Sequence, residues 1–132
     1  MTAVQKQTAS DYLVESLCFA GYSSPESALE TWCWAFSKGD TAVMLQSATT
    51  DVQKELRKEM ASMDKDQIKA VAATIAAKDL GYRILKRELV SDDDVILHIS
   101  TISTSPSRNG LEDKMKFRRI GNEWKMAGRK RD

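Results

Sequence analysis

The sequence is poor in the residues that most often carry chemistry. It has one histidine, His98, and two cysteines, Cys18 and Cys33, in 132 residues. The cysteines form no Cys-x-x-Cys pair, and His98 has no companion at a metal-ligand spacing, so neither a metal nor a cofactor is expected. Both thiols are expected to be reduced, because cysteine packs as a small hydrophobe. Walker loops, dinucleotide-type glycine motifs and nucleophile elbows are all missing. No apolar run approaches the ~20 residues of a membrane helix. Met1 to Asp11 is polar and lacks a charged-then-apolar leader pattern. The expectation is a soluble chain, cytoplasmic by default, or extracytoplasmic if an export signal once preceded it. The chain stops just after its last strand, as an excised domain would.

Charge of one sign is also lacking. Twenty basic and nineteen acidic residues leave +1, which argues against a dedicated nucleic-acid binder. The balance is uneven. Residues 1–80 carry 8 basic and 11 acidic side chains, residues 81–110 carry 4 and 4, and residues 111–132 carry 8 and 4.

What is present is a change of pattern. With 42% hydrophobic residues, one core is within reach. Met1 to Ser10 is polar, and Tyr12 to Phe19 is apolar enough to dock. Residues 1–18 are therefore assigned as a lead-in and 19–132 as the domain. Ser24, Pro25 and Glu26 start a helix over 24–37, and Gly39 ends it. Asp40 and Asp51 are read as caps of two short helices. A fourth helix is expected over 64–78, with Ile68, Val71, Ala72 and Ile75 inward. After Gly81 the chain turns β-branched and alternating. Strands are expected over 82–90, 95–104, 111–120 and 123–129, with turns at Ser91–Asp94 and Gly121-Asn122. Helices followed by an antiparallel meander define an α+β domain.

The Ser-Pro-Glu cap, the Lys38-Gly39-Asp40 turn and the closing Gly121-Asn122-Glu123-Trp124-Lys125-Met126 hairpin resemble the nuclear transport factor 2-like superfamily. That group includes SnoaL-like polyketide cyclases and has a cystatin-like fold. Phe19-Ala20-Gly21-Tyr22 also resembles the lead-in of short bacterial domains. The resemblance implies a curved antiparallel sheet wrapped round the first helix as a cone, either open to a ligand or packed shut. It also implies that copies pair by their outer faces.

Trp32, Phe36, Met115, Phe117, Trp124 and Met126 are candidates to line such a cone, or simply to fill its core. Replacing Trp32 by Ala is expected to cost about 3–5 kcal/mol if its contacts are buried. The enzyme alternative, an isomerase, cyclase or dehydratase, needs a carboxylate base. Asp113, in phase with Met115 and Phe117, and Asp40 are the candidates; a solvated strand end and a helix cap are the plainer readings. Trp34 lies off the main helical stripe, and the Phe19–Tyr22 lead-in is expected to cover it. Alternation puts Ile96, His98 and Ile102 on the outer face of their strand, as the centre of a homodimer contact. Protonation of His98 below about pH 6.5 is expected to weaken it. Lys114, Lys116, Arg118 and Lys125 form an outward basic stripe continued by Arg129-Lys130-Arg131, either a solvated face or an anion site. The leading expectation is a non-catalytic domain that binds a small apolar ligand or another protein.

Overall fold

The computed structural model describes residues 11–130. The expectations for residues 1–10, for the side chains of Ile75 and Lys130, and for Arg131 lie outside the described residues.

Local signals start and stop the helices. The Ser24 hydroxyl accepts from the Ser27 amide at 3.0 Å, Pro25 fills the first helical position, and helix α1 runs Pro25–Lys38. Gly39 ends it at φ 66°, a left-handed conformation that a Cβ would strain. The Asp40 carboxylate accepts from the Val43 amide and opens α2, Thr41–Gln46. Helix α3, Thr50–Met60, starts two residues earlier than expected: Thr49 is the flanking residue, and Asp51 sits in the first turn, facing the positive end of the dipole. Helix α4, Lys65–Lys78, opens with a reciprocal pair in which the Gln67 amide donates to Asp64 and the Asp64 amide donates to Gln67.

The strands are β1 (Asp11–Leu13), β2 (Asp79–Ser91), β3 (Asp94–Ser103), β4 (Glu112–Ile120) and β5 (Glu123–Lys130). They form one antiparallel sheet in the order β1-β2-β3-β4-β5. The molecule is thus α+β, with four helices and a five-stranded sheet. β1 was not anticipated, because three residues are too few to show alternation. Its partner explains it. A Cβ at Gly81 would collide with the Tyr12 carbonyl oxygen, so only glycine lets the two backbones meet. Tyr12 then stacks on Tyr82, directly across the pair, with ring centroids 4.9 Å apart.

The inner face of the sheet is apolar. Val95, Leu97 and Ile99 of β3, Met115 and Phe117 of β4, and Trp124 and Met126 of β5 meet Ala28 and Leu29 of α1. Trp32 packs partly buried against this cluster. Leu29 and Phe117 are fully enclosed, and burying each contributes about 1.5–3 kcal/mol. Trp34 meets the Phe19 ring edge-on at 6.0 Å, so the lead-in does cover it. Both cysteines are free thiols.

The outer edge of β5 is held by other parts of the chain. The Met126 amide donates to the Ser47 carbonyl, the Thr49 amide to the Met126 carbonyl, and the Trp124 amide to the Tyr22 carbonyl, at 2.8–2.9 Å. Lys125 joins this arrangement rather than the outward basic stripe. Its Nζ donates to the Gln46 carbonyl at the end of α2 and lies 4.1 Å from the Tyr22 ring centroid. Among the described residues, no helix is long and apolar enough to cross a membrane.

Candidate functional site: a cavity between the first helix and the sheet

Where β2 begins and β5 ends, α1 and the sheet do not close on each other. A cavity of about 210 Å³ remains, walled by the second half of α1 and the inner face of the sheet, with Val14 and Leu17 of the lead-in at its side. Trp32, Phe36, Leu17, Ile99 and Met115 make its surface mainly apolar. A cavity of about 150 Å³ lined by apolar side chains can hold benzene, so this space suits a ligand with a single ring or a short chain.

Its charged groups and its tyrosine come from β2, β4, β5 and the loop before β4. Asp113, at the start of β4, points inward with Met115 and Phe117 and is 6% exposed. Such a carboxylate needs a partner. Arg129 Nη2 donates to Asp113 Oδ2 at 2.9 Å. Simple alternation from Trp124 and Met126 would put Arg129 outward. A bulge opposite Lys116 and Phe117, with Gly128 at φ 153°, shifts the phase by one and sets Arg129 across from Met115. At the other rim, Arg108 grips Asp79 through Nε at 2.8 Å and Nη2 at 2.6 Å. Each acid of the cavity wall thus meets an arginine.

Tyr82 is the exception. It is 6% exposed and lines the cavity, yet its hydroxyl has no hydrogen-bond partner among the described residues. An unsatisfied buried hydroxyl costs about 1–3 kcal/mol. Burial drives the Tyr82 phenol far above its ordinary value, so it stays a proton donor. Burial also pushes the Cys33 thiol up to about 12, so at neutral pH the cavity wall holds a thiol and not a thiolate nucleophile.

Trp32, Phe36 and Met115 line this cavity, whereas Phe117, Trp124 and Met126 lie in the packed core. Asp113 is inside the cavity wall rather than at a solvated strand end, and Asp40 is a helix cap away from it. Ile96, His98 and Ile102 are half-buried on the opposite face from Leu97. His98 has a carboxylate partner that the sequence did not reveal: its Nε2 lies 2.8 Å from Glu88 Oε1. On the basic stripe, Arg118 pairs with Asp94, and Lys125, which has left the stripe, also pairs with Glu123. Among the described residues, no group of three or more histidine, cysteine or acidic side chains is placed to hold a metal.

Fold and cavity together define a small α+β domain, helices against an antiparallel sheet, with a concave polar-and-apolar space between them. The solution structure of a SEC-C motif containing protein from Rhodopseudomonas palustris shares this fold, with a TM-score of 0.55 and 13% sequence identity over 83% of this chain and 80% of that one. No known protein family profile matches the chain, and no curated protein matches it. The nuclear transport factor 2-like, SnoaL-like and cystatin-like assignment is therefore corrected: the structural likeness is to a SEC-C motif protein. The signals behind that assignment were helix caps and tight turns, which any domain of helices followed by hairpins needs.

Proposed function

We propose that the chain is a non-catalytic domain that binds a small, uncharged, mostly apolar ligand in the cavity between α1 and the sheet. The carrying observation is the Tyr82 hydroxyl, a buried donor in the cavity wall without a partner. A ligand carbonyl or ether oxygen would satisfy it, while Trp32, Phe36 and Met115 cover the apolar remainder. Two ion pairs cancel the charge of the acids and arginines, which favours a neutral ligand. The enzyme alternative is less well served. Asp113 is already engaged by Arg129, and Cys33 and Tyr82 hold their protons. We further take the sheet to curve round α1 as a cone with this cavity at its mouth; the register shifts in β2 and between β4 and β5 are where such bends arise.

Acetophenone, an apolar ring with one carbonyl, tests the reading. Titration followed by amide NMR should give saturable shifts at Trp32, Tyr82 and Met115, and Tyr82→Phe should weaken binding several-fold. Shifts that never saturate, or an unchanged affinity in Tyr82→Phe, would overturn it.

A second reading, pairing of two copies across the outer face, is favoured by Ile96 and Ile102 flanking His98 there. Its pH dependence is revised by Glu88. A protonated His98 would form an ion pair with Glu88 rather than bring a bare charge to the contact, with Lys86 and Lys114 nearby. Sedimentation should then show the same dimer at about pH 8 and about pH 5.5, and a monomer at both would remove the interface.

A further inference from the structure

A second apolar space lies beside the first, between α2, α3 and α4. It measures about 150 Å³ and is lined by Met44, Leu56, Met60, Met63 and Ile68. Among the described residues, Phe36 and Ala72 line both spaces. Ala72 contributes only a methyl group, so among the described residues the Phe36 ring is the one bulky side chain on the shared wall. Phe36 is 37% exposed, and the core does not clamp it. Unbranched methionines on the far side adjust readily to a guest. Tyr82 and the Asp113–Arg129 pair are in the first space, whereas among the described residues Glu59 is the only charged side chain on the lining of the second. The two spaces thus have the order of a single-chain amphiphile: an acceptor head, then a tail.

We infer that the natural ligand is a linear, uncharged amphiphile whose head meets Tyr82 and whose alkyl tail passes Phe36 into the methionine-lined space between the helices. This rests on the binding reading above and extends it to ligand class. Phe36 then acts as a partition that turns aside for a long tail and closes off the first space for a short one.

Methyl ketones of increasing length, from pentanone to tridecanone, separate this inference from its premise. Titrations followed by the methionine methyl resonances and by calorimetry should show affinity rising roughly fourfold per added methylene beyond the length that fills the first space. The methyls of Met60 and Met63 should begin to shift only with those longer tails. Phe36→Ala should strengthen long-chain binding over short-chain binding, and Met60→Trp should flatten the rise while leaving pentanone binding unchanged. If either variant fails to fold, the methyl shifts of the unaltered protein still decide. Affinity that levels off at the short ketones, with Met60 and Met63 unmoved, would overturn the joined-cavity inference and leave the binding reading standing. No saturable binding of any ketone would remove both.

Discussion

Tyr22 and Tyr82 are each only 6% exposed at the two ends of one core, yet their surroundings differ. Tyr22 sits where β5 begins. Its hydroxyl lies 2.8 Å from Ser47 Oγ, Lys125 covers its ring, and its carbonyl accepts from Trp124. Tyr82 sits where β5 ends, stacked on Tyr12, with its hydroxyl unmatched beside open space. One end of the domain is finished as a protein interior usually is, with its buried polar atoms paired. The other keeps a hydroxyl unpaired and a cavity open. Satisfied packing and open cavity are therefore spatially separated in this fold.

The largest effect should come from the closed region. Phe117→Ala removes a fully enclosed ring and should lower unfolding free energy by about 3–5 kcal/mol in a urea titration. Trp32→Ala, at the open end, should cost only about 1–2 kcal/mol, less than a buried tryptophan would, because its ring already borders a cavity. Equal losses would mean that the cavity is closed in solution.

The tyrosines themselves sharpen the contrast. Tyr22→Phe breaks a buried hydrogen bond and should destabilise by about 0.5–1.5 kcal/mol. Tyr82→Phe removes an unsatisfied hydroxyl and should stabilise by about 1 kcal/mol. Opposite signs in the two melting curves are the expected result, and two destabilising changes would show that Tyr82 has a partner after all.

Smaller effects mark the surface of each region. With its pKa raised to about 12, Cys33 should alkylate far more slowly than exposed Cys18 near neutral pH. Cys18 itself is restrained, because Glu30 accepts its S–H and holds the thiol pKa up, so Glu30→Gln should speed its reaction with iodoacetamide. The weakest expected response is to acid. Asp11, Glu88 and Asp94 are held below their ordinary values of 3.8, 4.5 and 3.8 by Arg83, His98 and Arg118 respectively. A lowered carboxylate pKa stabilises the fold above the unfolded value and ceases to as pH falls through the folded one. Stability should therefore decline only below about pH 4, and Asp94→Asn should blunt part of that decline.

The helix-then-meander order was legible because it rests on local chemistry. Ser24, Pro25, Gly39 and Asp40 act within a turn or two, and Val95, Leu97 and Ile99 alternate over enough residues to show a face. β1 was not legible, since three residues gain their structure from the glycine at 81, far along the chain. The site was half legible. Trp32, Phe36, Met115 and Asp113 follow from helical or strand phase. Arg129 was hidden because a bulge at 127–128 reverses its side, and alternation carries no record of a bulge. Tyr82 was in plain sight among β-forming residues, and only its missing partner, a tertiary fact, marks it. Family likeness read from caps and turns failed for the complementary reason: those signals report how elements begin and end, not what the assembled surface is for.

The hydrogen bonds that bind Ser47–Thr49 and Tyr22 to β5 also bear on how the protein behaves in a crowded solution. A strand whose outer amides and carbonyls are already taken offers no template for an incoming chain. The opposite margin differs: β1 is three residues long and covers only residues 81–83 of β2. The short connection that joins α2 to α3 thus shields the β5 edge from self-association that the β-branched strands would otherwise invite.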